Sequence, residues 1–148
     1  MPTDDDKMSG LARLQAMIAG RERSPIADAL LFDLVEAQPG RAVFRATPGR
    51  HAYNPIGCVH GGYAATLLDS ACGCAVLSML PAARAYTTLE IKVAYHRALT
   101  DETGEVTVEG RVSSIGSRVA FSEAKLVDRE GRLCASATST LLLFDRRA

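Results

Sequence analysis

At 148 residues, 47% of them hydrophobic, the chain is sized for one domain whose core needs neither disulfides nor a metal. Seventeen basic and seventeen acidic residues cancel, so no molecule-wide field draws nucleic acid or an anionic membrane surface, and neither is expected as a partner. No window approaches the roughly 18 continuous apolar residues of a membrane-spanning helix, which makes a cytoplasmic protein the expectation.

The opening Met1-Pro2-Thr3-Asp4-Asp5-Asp6-Lys7-Met8 is acidic and is similar to part of a protease-cleavable tag. Residues 1–8 are therefore set apart as a tag-like or disordered N-terminus, with Met8 as the natural start and 9–148 as the single domain. Leu11, Leu14, Met17 and Ile18 recur at helical spacing, which predicts a short amphipathic helix ending near Gly20 and packing as a lid or flank. Leu30–Ala37 and Arg41–Ala46 predict two strands joined by Gln38-Pro39-Gly40, good turn chemistry for a hairpin. Thr47-Pro48-Gly49 then breaks the second strand. A turn-rich loop through Tyr53, Asn54 and Pro55 follows.

Asn54-Pro55-Ile56-Gly57-Cys58-Val59-His60-Gly61-Gly62 leads into the run from Tyr63 to Leu80, a helix of about 18 residues ended by Pro81. A glycine pair at the mouth of a helix leaves backbone N–H groups bare, where the helix dipole favours negative charge. The entry therefore suits an anion or a developing oxyanion. Asp69 is the one acid inside that helix, among Ala64, Ala65, Leu67, Leu68, Ala71, Cys72, Cys74 and Ala75. After Pro81 the period changes to two. Thr87, Leu89, Ile91, Val93 and Tyr95 alternate with Thr88, Glu90, Lys92, Ala94 and His96; Val106, Val108 and Val112 alternate with polar residues; Val119–Val127 and Leu133–Phe144 complete four consecutive strands. The fold class is α+β: six strands in an antiparallel sheet with one long helix across it.

Cys58, Cys72, Cys74 and Cys134 contain no C-x-x-C and read as small buried thiols. His51, His60 and His96 share no ligand spacing, so no metal is assigned.

A long helix wrapped by a curved antiparallel sheet, with Asn54, Gly57, His60-Gly61-Gly62 and Asp69 in this order, resembles the hotdog-fold acyl-CoA thioesterases. The likeness is to the phenylacetate-degradation (PaaI-like) branch and extends over about Phe32–Phe144. It implies that the Gly61 N–H and the Asn54 side chain polarise a thioester carbonyl, that Asp69 serves as general base or nucleophile, and that Thr88 orients the water. His60 stands at the same oxyanion corner, where capping the helix is its expected part. The implied substrate is an aryl- or medium-chain acyl-CoA, with coenzyme A entering as part of the substrate and no separate cofactor. Candidate partners for its phosphates are Gly116, Ser117 and Arg118 at the tight connection between two strands, together with Arg111, Lys92, Arg146 and Arg147. The acyl pocket is expected around Tyr53 and Tyr63 and the strands of a partner.

Spacing adds a requirement. Gly61 and Asp69 are eight residues apart on one helix, hence ~12 Å apart along its axis, whereas both must come within about 3–4 Å of one reacting group. If both act, they act from two subunits across a two-fold, so a homodimer is expected, arranged as a dimer of dimers. A hotdog module that binds acyl-CoA without turnover is the alternative. An α/β-hydrolase is excluded because the chain has no Gly-x-Ser-x-Gly elbow and no alternation of strands and helices.

Overall fold

A computed structural model describes residues 4–147. The acidic run that the sequence sets apart forms a single 3-10 turn over Asp4–Lys7; residues 1–3, and Ala148 at the other end, lie outside the described residues. Helix α1 spans Gly10–Gly20, and the Ser9 hydroxyl caps it by accepting from the Ala12 N–H at 3.2 Å. It is anchored on the far end of the long helix: the Gly10 N–H donates to the Leu80 carbonyl at 2.9 Å.

A second helix, α2, occupies Pro25–Leu30, where the sequence reading expects loop and the start of a strand at Leu30. Its signals are local. Ser24 is the N-cap, Pro25 takes the first helical position, and Leu31 ends the turn in the left-handed region at φ 61°. The first strand is therefore shorter than expected, β1 at Phe32–Gln38, and pairs with β2 at Arg41–Ala46 through the foreseen turn, with Gly40 at φ 76°.

The long helix, α3, spans Gly61–Leu77. It ends before Pro81, contrary to the sequence expectation. The Ser78 hydroxyl donates to the Ala75 carbonyl at 2.6 Å and accepts from the Gly40 N–H at 2.8 Å, and the next two amides make tight bonds to Val76 and Leu77. The last turn is thus wound down into the β1–β2 hairpin before the proline is reached.

Strands β3 (Arg84–Tyr95), β4 (Val106–Ile115), β5 (Val119–Val127) and β6 (Leu133–Asp145) complete one six-stranded antiparallel sheet in the order β1-β2-β4-β5-β6-β3. Its inner face carries Ala42, Phe44, Val106, Val108, Ala124, Leu126 and Ala137 against Leu67, Leu68, Ala71, Cys72 and Ala75 of α3, and Ala120 and Leu141 against Val76. On β5 the buried set is Ala120, Ser122, Ala124 and Leu126, while the bulkier Phe121 points out. Small residues face the helix because it lies very close: a Cβ on Gly110 of β4 would collide with the Ala71 carbonyl of α3. The sheet curls around α3, which is the hotdog arrangement.

Candidate active site

The helix entry is built by a short hydrogen-bonded loop. Tyr53 and Val59 form an antiparallel bridge, the Asn54 N–H donates to the Cys58 carbonyl at 2.8 Å, and the Asn54 Oδ1 accepts from the N–H groups of Ile56 and Cys58 at 3.1 and 3.2 Å. Asn54 therefore organises the loop through its oxygen, while its Nδ2 donates to the Cys58 Sγ at 3.3 Å. The turn-forming role that its place before Pro55 suggests is present in this subunit. His60 is the N-cap of α3: its Nδ1 accepts from the Gly62 N–H at 2.7 Å, as expected of a cap, which fixes the proton on Nε2. The His60 N–H in turn donates to the Ala52 carbonyl at 2.7 Å.

Gly61 is the first residue of α3, so its N–H has no intrahelical acceptor. Its carbonyl accepts from the Tyr95 hydroxyl at 2.7 Å, and a Cβ at position 61 would sit 2.9 Å from that oxygen. Tyr95 closes the end of β3 over the helix mouth. The sequence offers it only as a strand residue, and no local signal marks the contact.

Two turns along α3, half-buried Asp69 accepts a hydrogen bond from Thr88: Oγ1 to Oδ1 is 2.9 Å. That contact depends on an irregularity. Simple alternation puts Thr88 on the face opposite Ile91 and Val93, which is the outer face once those apolar residues turn inward. In the structure Leu89 is an inserted residue: Thr88 pairs with Leu141 and Glu90 with Thr140, so the register shifts by one between them. Leu89 is 56% exposed, and Tyr86, Thr88, Ile91 and Val93 share the inner side. The buried Ser139 hydroxyl donates to the Glu90 carbonyl at 3.0 Å and braces the shift.

The Asp69 charge is felt by its neighbours. Burial, with a contribution from Asp69, pushes the Cys74 thiol up to about 12 and the Cys72 thiol up to about 11, and burial likewise raises Tyr86. These thiols are protonated and inert at neutral pH. Tyr63, expected near the acyl group, is packed in the core with its hydroxyl lacking a partner, and burial raises it to about 12. Tyr53 is tied to the loop beyond β3, donating to the Asp101 Oδ1 and accepting from the Asp101 N–H, both at 2.9 Å. Neither tyrosine is in the wall of the cavity that holds Cys74 and Tyr86. That cavity, of about 290 Å³, lies between α3, α1 and α2, with Ser70 also in its wall.

Gly116, Ser117 and Arg118 form the exposed β4–β5 turn. The Gly116 N–H donates to the Val119 carbonyl at 2.9 Å, the Ser117 carbonyl accepts from Arg84 at 2.8 Å, and the Arg118 carbonyl accepts from the Leu143 N–H at 2.8 Å. The turn stands at the end of the sheet that packs on the C-terminal half of α3, away from Gly61. Arg111 pairs with Glu109 at 2.6 Å, and Lys92 is an exposed outer-face residue; neither joins the turn. Among the described residues no group of three His, Cys, Asp or Glu side chains could hold a metal ion.

The profile of the thioesterase superfamily matches residues 56–135, more than half of the chain and all of α3. The chain belongs to the thioesterase superfamily. The same fold recurs in solved structures of other proteins. A thioesterase family protein of Silicibacter pomeroyi superposes with a TM-score of 0.79 at 26% identity over 90% of this chain and 97% of that one. A hypothetical thioesterase of Streptococcus pneumoniae TIGR4, solved with coenzyme A, superposes with a TM-score of 0.70 at 24% identity over 79% and 91%. A Halobacterium salinarum protein, named provisionally as an esterase, is 40% identical over 73 residues, 48% of this chain, and the match spans 46% of that protein's length. Within the superfamily profile fall Gly61, Asp69, Thr88 and the Gly116–Arg118 turn; Asn54 lies just before it.

Proposed function

We propose that this superfamily member is an acyl-CoA thioesterase with two composite active sites in a homodimer, cleaving an aryl- or medium-chain acyl-CoA to the free acid and coenzyme A. The observation that carries the reading is the Thr88–Asp69 hydrogen bond on an otherwise apolar helix face, on the same helix whose first residue offers a bare N–H. Asp69 and Thr88 form one half of a site, and Gly61 with Asn54 the other. The ~12 Å of helix between them keeps the halves of one chain apart.

Two α3 helices antiparallel across a two-fold would bring the partner's helix entry over Asp69, with the loop before it running toward the Gly116–Arg118 end of the sheet. Strand β3 is a 12-residue edge of the sheet, and a long open edge of that kind favours pairing with a second copy. The pneumococcal neighbour's coenzyme A supports a CoA ester as substrate, and the Asn54 to Gly62 entry supports the phenylacetate-degradation branch.

In this mechanism the partner's Gly61 N–H, aided by one amide proton of Asn54, takes the thioester carbonyl oxygen. Charge grows on that oxygen during attack, so a preorganised donor contributes on the order of 3 kcal/mol in the transition state. Asp69 accepts the proton of a water held between its carboxylate and Thr88, the water oxygen bonds to the carbonyl carbon, and the carbon–sulfur bond breaks. The thiolate of coenzyme A recovers the proton. Nucleophilic attack by Asp69 itself uses the same geometry through an anhydride.

Release of free thiol from a panel of aryl and straight-chain acyl-CoA esters tests the proposal. The wild type should turn over at least one class, and Asp69→Ala should lower kcat by about 10³-fold or more while the melting temperature stays within a few degrees, because Asp69 makes one hydrogen bond at a half-buried site. A wild type silent across the panel would favour an acyl-CoA-binding module without turnover; a collapsed fold in the variant would make Asp69 structural.

A further inference from the structure

The cavity between α1, α2 and α3, whose wall includes Ser70 next to Asp69 in the chain but neither Asp69 nor Thr88, is bounded by elements from both ends of the sheet. Leu34 of β1 and Phe44 of β2 meet Tyr86 of β3 there, although β1 and β3 are opposite edges, so the curled sheet nearly closes around α3. The gap between the edges is roofed by Leu14 and Met17 of α1 and by Ile26 and Ala27 of α2. From α3 the wall takes Ser70, Cys74 and Leu77, one helical stripe beginning next to Asp69. Apart from Glu22, Arg23 and Ser24 at the α1–α2 joint, the lining is almost wholly apolar.

We infer that this cavity is the acyl pocket of the same subunit that supplies Asp69, and that the α1–α2 roof sets the length of acyl chain accepted. The inference rests on the thioesterase reading for the position of the carbonyl. Its independent support is size, lining and position. A cavity of about 150 Å³ holds one benzene ring, so about 290 Å³ takes an unbranched or phenyl-bearing acyl group of roughly ten carbons. Cys74 and Tyr86 both line the cavity and both feel the Asp69 carboxylate, and Thr88 lies two residues past Tyr86 on the same inner face. A thioester carbon held between Asp69 and Thr88 thus lies one residue along α3 from Ser70 and two along β3 from Tyr86, both in the cavity wall. The roof is pinned as one unit. Arg23 at the joint makes a paired contact with Asp33 at the start of β1, Nε to Oδ1 2.6 Å and Nη2 to Oδ2 3.1 Å, and each of the two roof helices ends in a non-glycine residue in the left-handed region, Arg21 after α1 and Leu31 after α2.

S-Alkyl thioethers of coenzyme A, which cannot be hydrolysed, read the pocket without turnover. Calorimetric titration of the full chain with S-butyl-, S-decyl- and S-hexadecyl-CoA should give a preference for decyl over butyl of at least about tenfold, with no further gain for hexadecyl. Ala27→Phe, which projects a ring from the roof into the cavity, should bring the decyl-to-butyl ratio below about threefold. Leu34→Ala, which lengthens the cavity, should move the optimum to a longer chain, and it decides the matter if Ala27→Phe fails to fold. Equal affinity for butyl and decyl in the wild type, or an unchanged profile in a folded Ala27→Phe or in Leu34→Ala, would overturn the pocket. Failure to hydrolyse decanoyl-CoA with the alkyl preference intact would instead overturn the thioesterase reading alone.

Discussion

At the scale of single residues, Asn54 carries two tasks that a truncation would confuse. Its Oδ1 holds the amides of Ile56 and Cys58 and so shapes the loop that presents Gly61. Its Nδ2 bears two protons, one of them directed at Cys58 Sγ, and the proposed mechanism needs the other. Asn54→Asp separates the tasks, because a carboxylate keeps the acceptor oxygen and loses the donor. The expected outcome is a fall in kcat of about 10²-fold with the melting temperature little changed, whereas Asn54→Ala should also lose stability, by about 1 kcal/mol. Steady-state kinetics beside thermal unfolding of both variants checks this. An Asn54→Asp enzyme at wild-type rate would leave Asn54 with the loop alone. His60 has a simpler part: its ring nitrogen is already committed to the Gly62 amide, which leaves it no role as the base.

At the scale of elements, what the sequence discloses and what it hides have separate physical causes. Strand identities, the β1–β2 hairpin and α3 follow from periodicity and turn chemistry, which are local. The Thr88–Asp69 contact does not, because strict alternation assigns Thr88 to the outer face and only the inserted Leu89 turns it inward. Thr88 is reachable from the sequence by family resemblance, not by pattern. A bulge has no sharp signature when its inserted residue is as apolar as its neighbours, and Leu89 is. Helix α2 is the opposite case: Ser24-Pro25 is a proper helix start, but six residues are too few for an apolar period to show. Likewise the cavity forms where chain ends and opposite sheet edges converge, which no local window reports. The closeness of α3 to the sheet makes its own prediction. Gly110→Ala forces a methyl group into the Ala71 carbonyl, and because both partners are backbone, neither can swing aside. The variant should lose about 2–3 kcal/mol in chemical denaturation, more than a typical surface substitution by severalfold. A loss below 0.5 kcal/mol, on the scale of surface changes, would show that α3 can lift off β4 freely.

For the whole molecule, the decisive quantity is the helical rise between Gly61 and Asp69, which their spacing in the sequence already sets. Both residues lie on the single helix Gly61–Leu77, so no loop movement within one chain can bring them together. Either only one of them takes part in catalysis or two chains share each site. The alternatives differ in how inactive variants behave in company. Asp69→Ala retains a sound helix entry, and Asn54→Asp retains a sound acid. Co-expressed with different affinity tags and isolated through both, they form a heterodimer in which one site pairs the intact Asn54 and Gly61 of the first chain with the intact Asp69 of the second. The other site carries both defects. If the sites are composite, this heterodimer should recover about half of the wild-type kcat per dimer, although each parent homodimer is crippled at both sites. If each site were confined to one chain, every site in the heterodimer would hold one defect, and its rate would stay at the mean of the two parents. Thiol release from a single acyl-CoA ester, measured on the doubly purified species, therefore distinguishes a shared site from a confined one without any structure of the complex.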